Sequence, residues 1–198
     1  MKRITCAAAF ATALFCAAPV SHAALITYDA TLAPEAFGAT GSGFVTVNYD
    51  TVGQTLAISS NWSGLSGMTT VAHIHCCTTV PGSGTIGVAV TPGTLPGFPV
   101  GVTAGAYVSP VLDLTAASTF TASFITNFAG GVLTNAEGAL IAGIEDGSAY
   151  FNIHTSTFPG GEIRGFLRPA QVPEPATFAL TVLGLAALGW SRRQSVRA

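Results

Sequence analysis

The sequence predicts an all-β fold, an antiparallel immunoglobulin-like β-sandwich with one short helix. Three observations lead there. Apolar and polar residues alternate at period two through much of residues 24–170, as in strands with one buried face. Each alternating run is bounded by Gly, Pro, Asn or Ser, which end strands and build turns. Strand-like runs follow one another at short intervals, which favours a sandwich over alternating helix and strand.

The chain opens on a different signal. Lys2 and Arg3 precede an alanine-rich apolar stretch over 4–20, and Ser21-His22-Ala23 puts small residues where a signal peptidase reads. Residues 1–23 are therefore expected to be a signal peptide, cut between Ala23 and Ala24. Strands are expected at 25–32, 43–49, 55–62, 70–77, 85–90 and 107–114. Residues 92–101 are too broken by proline and glycine for either regular structure and read as a loop. The Thr/Phe-rich run 118–128 reads as a further strand. Thr134-Asn135-Ala136-Glu137 has the form of a capping box opening the one helix. Its Ala136, Leu140, Ile141 and Ile144 fall on one face, and Gly147 can supply a left-handed stop. This helix is expected to cover one end of a sheet. Strands at 149–155 and 162–168, joined around Pro159-Gly160-Gly161, close the domain by residue 170.

Charge restricts the partners. Between residues 24 and 171 the acidic residues are Asp29, Glu35, Asp50, Asp113, Glu137, Glu145, Asp146 and Glu162, against only Arg164 and Arg168. Such a surface cannot neutralise phosphates, which excludes nucleic acid and anionic lipid as natural partners of the domain. Cys6 and Cys16 leave with the signal peptide, so the exported protein keeps the adjacent Cys76 and Cys77. These could join in a small ring, pair between chains or stay as thiols, the last being least expected outside the cytoplasm. A bond closing so short a loop would add little stability through chain entropy.

The C-terminus carries Pro173-Glu174-Pro175, fifteen uncharged residues at 176–190, and then Arg192, Arg193 and Arg197. A transmembrane helix over about residues 176–190 would span ~22 Å at ~1.5 Å per residue, short of a ~30 Å hydrocarbon core. Bilayer thinning and arginine snorkelling close such a gap. Arg192 and Arg193 should stay in the cytoplasm, leaving everything before Pro173 outside. In this order the three parts resemble the PEP-CTERM sorting signal, and residues 171–198 are read as that signal. The resemblance implies that a membrane-embedded exosortase cuts near Pro173-Glu174-Pro175 and releases or transfers the ectodomain.

Two inner segments carry chemistry-bearing side chains. Alternation puts His73, His75 and Cys77 on one face of their strand and Ala72, Ile74 and Cys76 on the other. It likewise groups Tyr150, Asn152 and His154, with Phe151 and Ile153 facing the core, and puts Glu162 with Arg164. Should the segments meet, three imidazoles and a carboxylate would converge, a donor set suited to Zn or Cu. The competing reading is three hydrogen-bonded histidines that fix strand ends and turns. Ala72-His73-Ile74-His75 and the 150–165 segment with its Phe158-Pro159-Gly160-Gly161-Glu162 run resemble the CHRD domain, over roughly 24–168. That resemblance implies a β-rich extracellular domain without established enzymatic activity. The sequence departs from it by placing Cys76-Cys77 directly after the histidine pair. His73-Ile74-His75 is also similar to the copper strand of Cu,Zn superoxide dismutase, but His73, His75 and His154 are too few for that enzyme's paired site.

No catalytic residue is assigned. There is no Gly-x-Ser-x-Gly elbow, Glu145-Asp146 are neighbours that diverge on a helix end, and Glu162 with Arg164 reads as an ion pair. Trp62 reads as a core anchor. The expected protein is a non-enzymatic envelope or extracellular-matrix component, exported through signal peptidase and held in the inner membrane. An exosortase then processes it for the cell surface or secretion, and extracellular polysaccharide or a partner protein is its alternative ligand class. The alternative is an exported Zn- or Cu-binding protein or metalloenzyme built on His73, His75 and His154.

Overall fold

The computed structural model describes residues 25–170. Period-two alternation accounts for its first three strands. β1 (Leu25–Pro34), β2 (Ser42–Asp50) and β3 (Thr55–Ser63) form an antiparallel meander. Tyr28, Ala30, Leu32, Val45, Val47, Leu56, Ile58 and Trp62 are buried on one face of it. The β2–β3 turn is tied by the Asp50 carboxylate, which accepts from the N–H groups of Val52 and Gly53, each at 2.9 Å.

The remaining strands are β4 (Thr69–His75), β5 (Val88–Val90), β6 (Gly105–Val108), β7 (Leu112–Asp113), β8 (Tyr150–Thr155), β9 (Ile163–Phe166) and β10 (Arg168–Pro169). Their order across the sheet is β5-β4-β8-β9-β1-β2-β3-β6, with β7 also on β3 and β10 on β1. All pairings are antiparallel. β1 belongs to both halves: Ala33 and Pro34 pair with β9, while Tyr28 and Asp29 pair with β10. The two layers are thus continuous through β1. The sheet curls, so that Ala72 and Ile74 of β4 and Phe151 and Ile153 of β8 share one core with the meander.

Two helices pack against this core. α1 (Ala122–Phe128) replaces the strand expected over 118–128. Thr121 caps it, its side chain accepting from the Phe124 N–H at 3.2 Å, and Phe120, Phe124 and Phe128 stack in succession at 5.7 and 5.6 Å. Within the helix Phe124 and Phe128 stand four residues apart, a helical spacing, while Phe120 precedes the cap in extended backbone. This spacing outweighs the β-propensity of the Thr and Phe residues. α2 (Ala136–Glu145) lies where the helix was expected, with Ala136, Leu140 and Ile144 buried and Gly147 in the left-handed region at φ 76°. The capping box does not form. Residues Leu133–Asn135 make a 3-10 turn, and Glu137 instead accepts from the Tyr49 hydroxyl at 2.6 Å and from the Gln54 amide. Those bonds, with Tyr28 donating to Glu145 at 3.4 Å, fasten α2 over the end of the meander. The expected strand at 85–90 shortens to β5, and 107–114 breaks into β6 and β7, with Pro110 between them.

The expected signal peptide with its Ala23/Ala24 cut, Pro173-Glu174-Pro175, the 176–190 membrane helix, and Arg192 and Arg193 lie outside the described residues. Among the described residues no helix is long and apolar enough to cross a membrane.

Candidate functional site

The β4–β8 pairing sets His73 opposite Asn152, Val71 opposite His154 and His75 opposite Tyr150. All three imidazoles consequently share the sheet face turned away from the core. They are nevertheless buried, at 7%, 8% and 9% exposure, and one ring nitrogen of each lies within 4.8 Å of the others. Ring centroids are 5.3 Å apart for His73 and His154, 5.7 Å for His73 and His75, and 5.8 Å for His75 and His154.

Three loops fix the rings, each through one backbone carbonyl. Gly93 O lies 2.5 Å from His73 Nε2, Ile86 O 2.7 Å from His75 Nδ1, and Pro159 O 2.9 Å from His154 Nδ1. His75 also stacks on Tyr150 at 4.7 Å with the planes 4° apart. Tyr150 in turn holds the Ile86 loop, its hydroxyl lying 3.3 Å from both Ile86 N and Ile86 O. Burial lowers the basicity of all three histidines and pushes His75 down to about 4; the carbonyl bonds oppose this only in part. The rings are therefore neutral at neutral pH.

No carboxylate joins the cluster among the described residues. The expected Glu162–Arg164 pair does not form, because each takes another partner. Glu162 is fully buried and accepts from Ser66 N at 2.6 Å, Ser66 Oγ at 2.7 Å, Thr155 Oγ1 at 2.6 Å and Gly67 N at 3.2 Å. Burial pushes its carboxyl up, but these bonds outweigh burial and hold it below the usual carboxylate range. Arg164 pairs with Glu35, Nε to Oε2 at 3.4 Å, lies 5.0 Å over the Tyr150 ring and donates to Gly84 O at 2.8 Å. Asn152 donates to Glu35 through Nδ2, while its Oδ1 is buried without a partner. Burial raises the Glu35 carboxyl, against the opposing pull of Arg164 and Asn152. Glu35 is 117 residues from Asn152, and no local pattern in the sequence announces that contact.

The strand expected over 70–77 ends at His75, so Cys77 does not share the histidine face; Cys76 and Cys77 are bonded to each other beneath α2, against Gly143. The site is thus a buried trio of neutral imidazoles, flanked by one aromatic ring and a Glu35–Arg164–Asn152 cluster.

A family model described as the CHRD domain matches residues 22–167, and one described as the PEP-CTERM protein-sorting motif matches residues 171–193. No curated protein and no solved structure matches the chain.

Proposed function

The chain belongs to the CHRD-domain family and carries a PEP-CTERM sorting motif, and from these we propose that it is a non-enzymatic component of the cell envelope or extracellular matrix. The sorting motif marks an exported protein handled by an exosortase. In this reading signal peptidase cuts between Ala23 and Ala24, and the 176–190 helix holds the domain in the inner membrane. Arg192 and Arg193 stop translocation, because cations on a short flank resist crossing. The exosortase then acts near Pro173-Glu174-Pro175, and the CHRD domain passes to the surface or the medium.

The observation that carries the reading is the sorting-motif match over 171–193, which follows the CHRD match over 22–167. In this reading proline on both sides of Glu174 would disfavour helix there and present an extended, cleavable backbone at the membrane surface. The non-enzymatic part is supported by the carboxylates near the site: Glu162 and Glu35 are both engaged in side-chain bonds that hold loops and strands. Replacing Pro173, Glu174 and Pro175 by alanine, with the apolar stretch and arginines kept, should leave the full-length chain in the membrane fraction. Immunoblotting of fractions and mass spectrometry of the mature C-terminus measure this. Unchanged processing of the triple variant would sink the proposal.

A further inference from the structure

We infer that His73, His75 and His154 hold one divalent transition-metal ion, Zn(II) or Cu(II), through His73 Nδ1, His75 Nε2 and His154 Nε2. The inference goes beyond the sorting role and does not depend on it. It follows from where the protons must be. A backbone carbonyl only accepts, so the ring nitrogens facing Gly93 O, Ile86 O and Pro159 O each carry the hydrogen. A neutral imidazole has a single N–H, and all three are directed to those carbonyls. The remaining three nitrogens are bare lone pairs.

Their placement is hard to explain otherwise. His73 Nδ1 and His154 Nε2 face each other at 3.4 Å, two acceptors with no hydrogen to share. His75 Nε2 is buried and has no partner at all. A proton inserted between the first two would put a cation in a buried cluster that contains no carboxylate to balance it. An ion removes the difficulty. Two ligands about 2.0–2.1 Å from a tetrahedral Zn(II) are separated by about 3.3 Å, close to the 3.4 Å between His73 Nδ1 and His154 Nε2, and one ring nitrogen of each of the three lies within 4.8 Å of the others. Ring N–H groups donated to backbone carbonyls are also the usual outer shell of metal-bound histidine, because they fix the tautomer and raise ligand basicity. Neutral imidazoles favour Zn and Cu over Mg or Ca. Three protein ligands leave a further position for water or another donor.

The test uses the exported protein purified without a polyhistidine tag, stripped with a chelator, and titrated with Zn(II) or Cu(II). One ion per chain should survive gel filtration. At a hundredfold excess over Kd the unfolding midpoint should rise by about 5–10 °C. His75→Gln and His154→Gln should each weaken binding by about 100-fold or more, with unchanged far-ultraviolet circular dichroism and unchanged processing at the C-terminal motif. Electron paramagnetic resonance of the wild-type Cu(II) form decides the matter even if both variants fail to fold, since three imidazole nitrogens should split its signal. Either metal found in protein isolated from its own cells supports the site. Three results overturn it: a wild-type protein that retains no ion, affinity unchanged in both folded variants, or a copper signal without imidazole nitrogens.

Discussion

Replacing Glu162 by alanine is expected to cost the domain about 2–6 kcal/mol, a large share of the roughly 5–15 kcal/mol by which domains of this size are stable. Its carboxylate is fully buried and accepts four hydrogen bonds, from Ser66 N, Ser66 Oγ, Gly67 N and Thr155 Oγ1. Removing it strands Gly67 N and Thr155 Oγ1 in a buried site, while the Ser66 donors lie at its exposed edge; each unsatisfied buried group costs about 1–3 kcal/mol before relaxation. Glu162→Gln keeps the shape but turns one acceptor into a donor, so about 2 kcal/mol should be lost. The pH dependence has a definite sign. Because the folded carboxyl is held below its unfolded value of 4.5, the native state binds fewer protons than the unfolded chain between the two values. Its contribution is complete above pH 4.5 and is lost as pH falls through the folded value. The stability gap between wild type and Glu162→Gln, measured by urea unfolding, should be widest near neutrality and narrow on acidification. The buried histidines also lose stability in acid, but equally in both proteins, so they cancel from that difference. A gap that is absent at pH 7, or that widens in acid, would remove the structural role assigned to Glu162.

That carboxylate also shows where sequence reading reaches its limit. Alternation alone separated Ala72, Ile74, Phe151 and Ile153 from His73, His75, Asn152 and His154, because strand geometry admits only two faces. The antiparallel β4–β8 pairing then brought the three imidazoles together, as far as a face assignment can anticipate. Partner choice was not legible. Glu162 and Arg164 lie two residues apart with opposite charge, yet Glu162 caps the 66–67 backbone and Arg164 reaches Glu35, which directly follows the β1 residues paired with β9. Both contacts depend on pairings between segments distant in sequence, β1 with β9 for Arg164 and the 66–67 turn for Glu162, which no local pattern encodes. The helix at 122–128 failed for another reason. Its Thr and Phe content favours strands, and only the four-residue spacing of its phenylalanines and the Thr121 cap reveal the helix. Likewise Thr134 and Glu137 satisfy the capping-box pattern, but Tyr49 and Gln54 offer Glu137 donors that the pattern cannot see.

Gly143→Ala is expected to destabilise by about 1–2 kcal/mol net, against what helix propensity dictates. In the last turns of an exposed helix the change would gain about 1 kcal/mol. Gly143, however, faces the Cys76–Cys77 bond. A Cβ there would stand 2.5 Å from Cys77 Sγ and would also overlap Cys76 Sγ. Neither side can yield readily. The Gly143 carbonyl accepts from Ser148 N and Ala149 N, each at 2.9 Å, which ties α2 to the start of β8. Cys76 is buried in the core, and its sulfur is bound to its neighbour, so it has no alternative rotamer. Overpacking of this kind costs about 1–3 kcal/mol and here exceeds the gain in propensity. The cysteine pair is the cause, so the penalty should shrink when it is removed. In a Cys76→Ala/Cys77→Ala background Gly143→Ala should be milder by at least about 1 kcal/mol, a coupling that a double-mutant cycle in urea measures directly. A bond closing so short a loop restrains the unfolded chain very little. Its effect on stability should therefore come through the shape it offers to α2. Equal costs of Gly143→Ala in both backgrounds would show that the helix and the disulfide do not constrain each other.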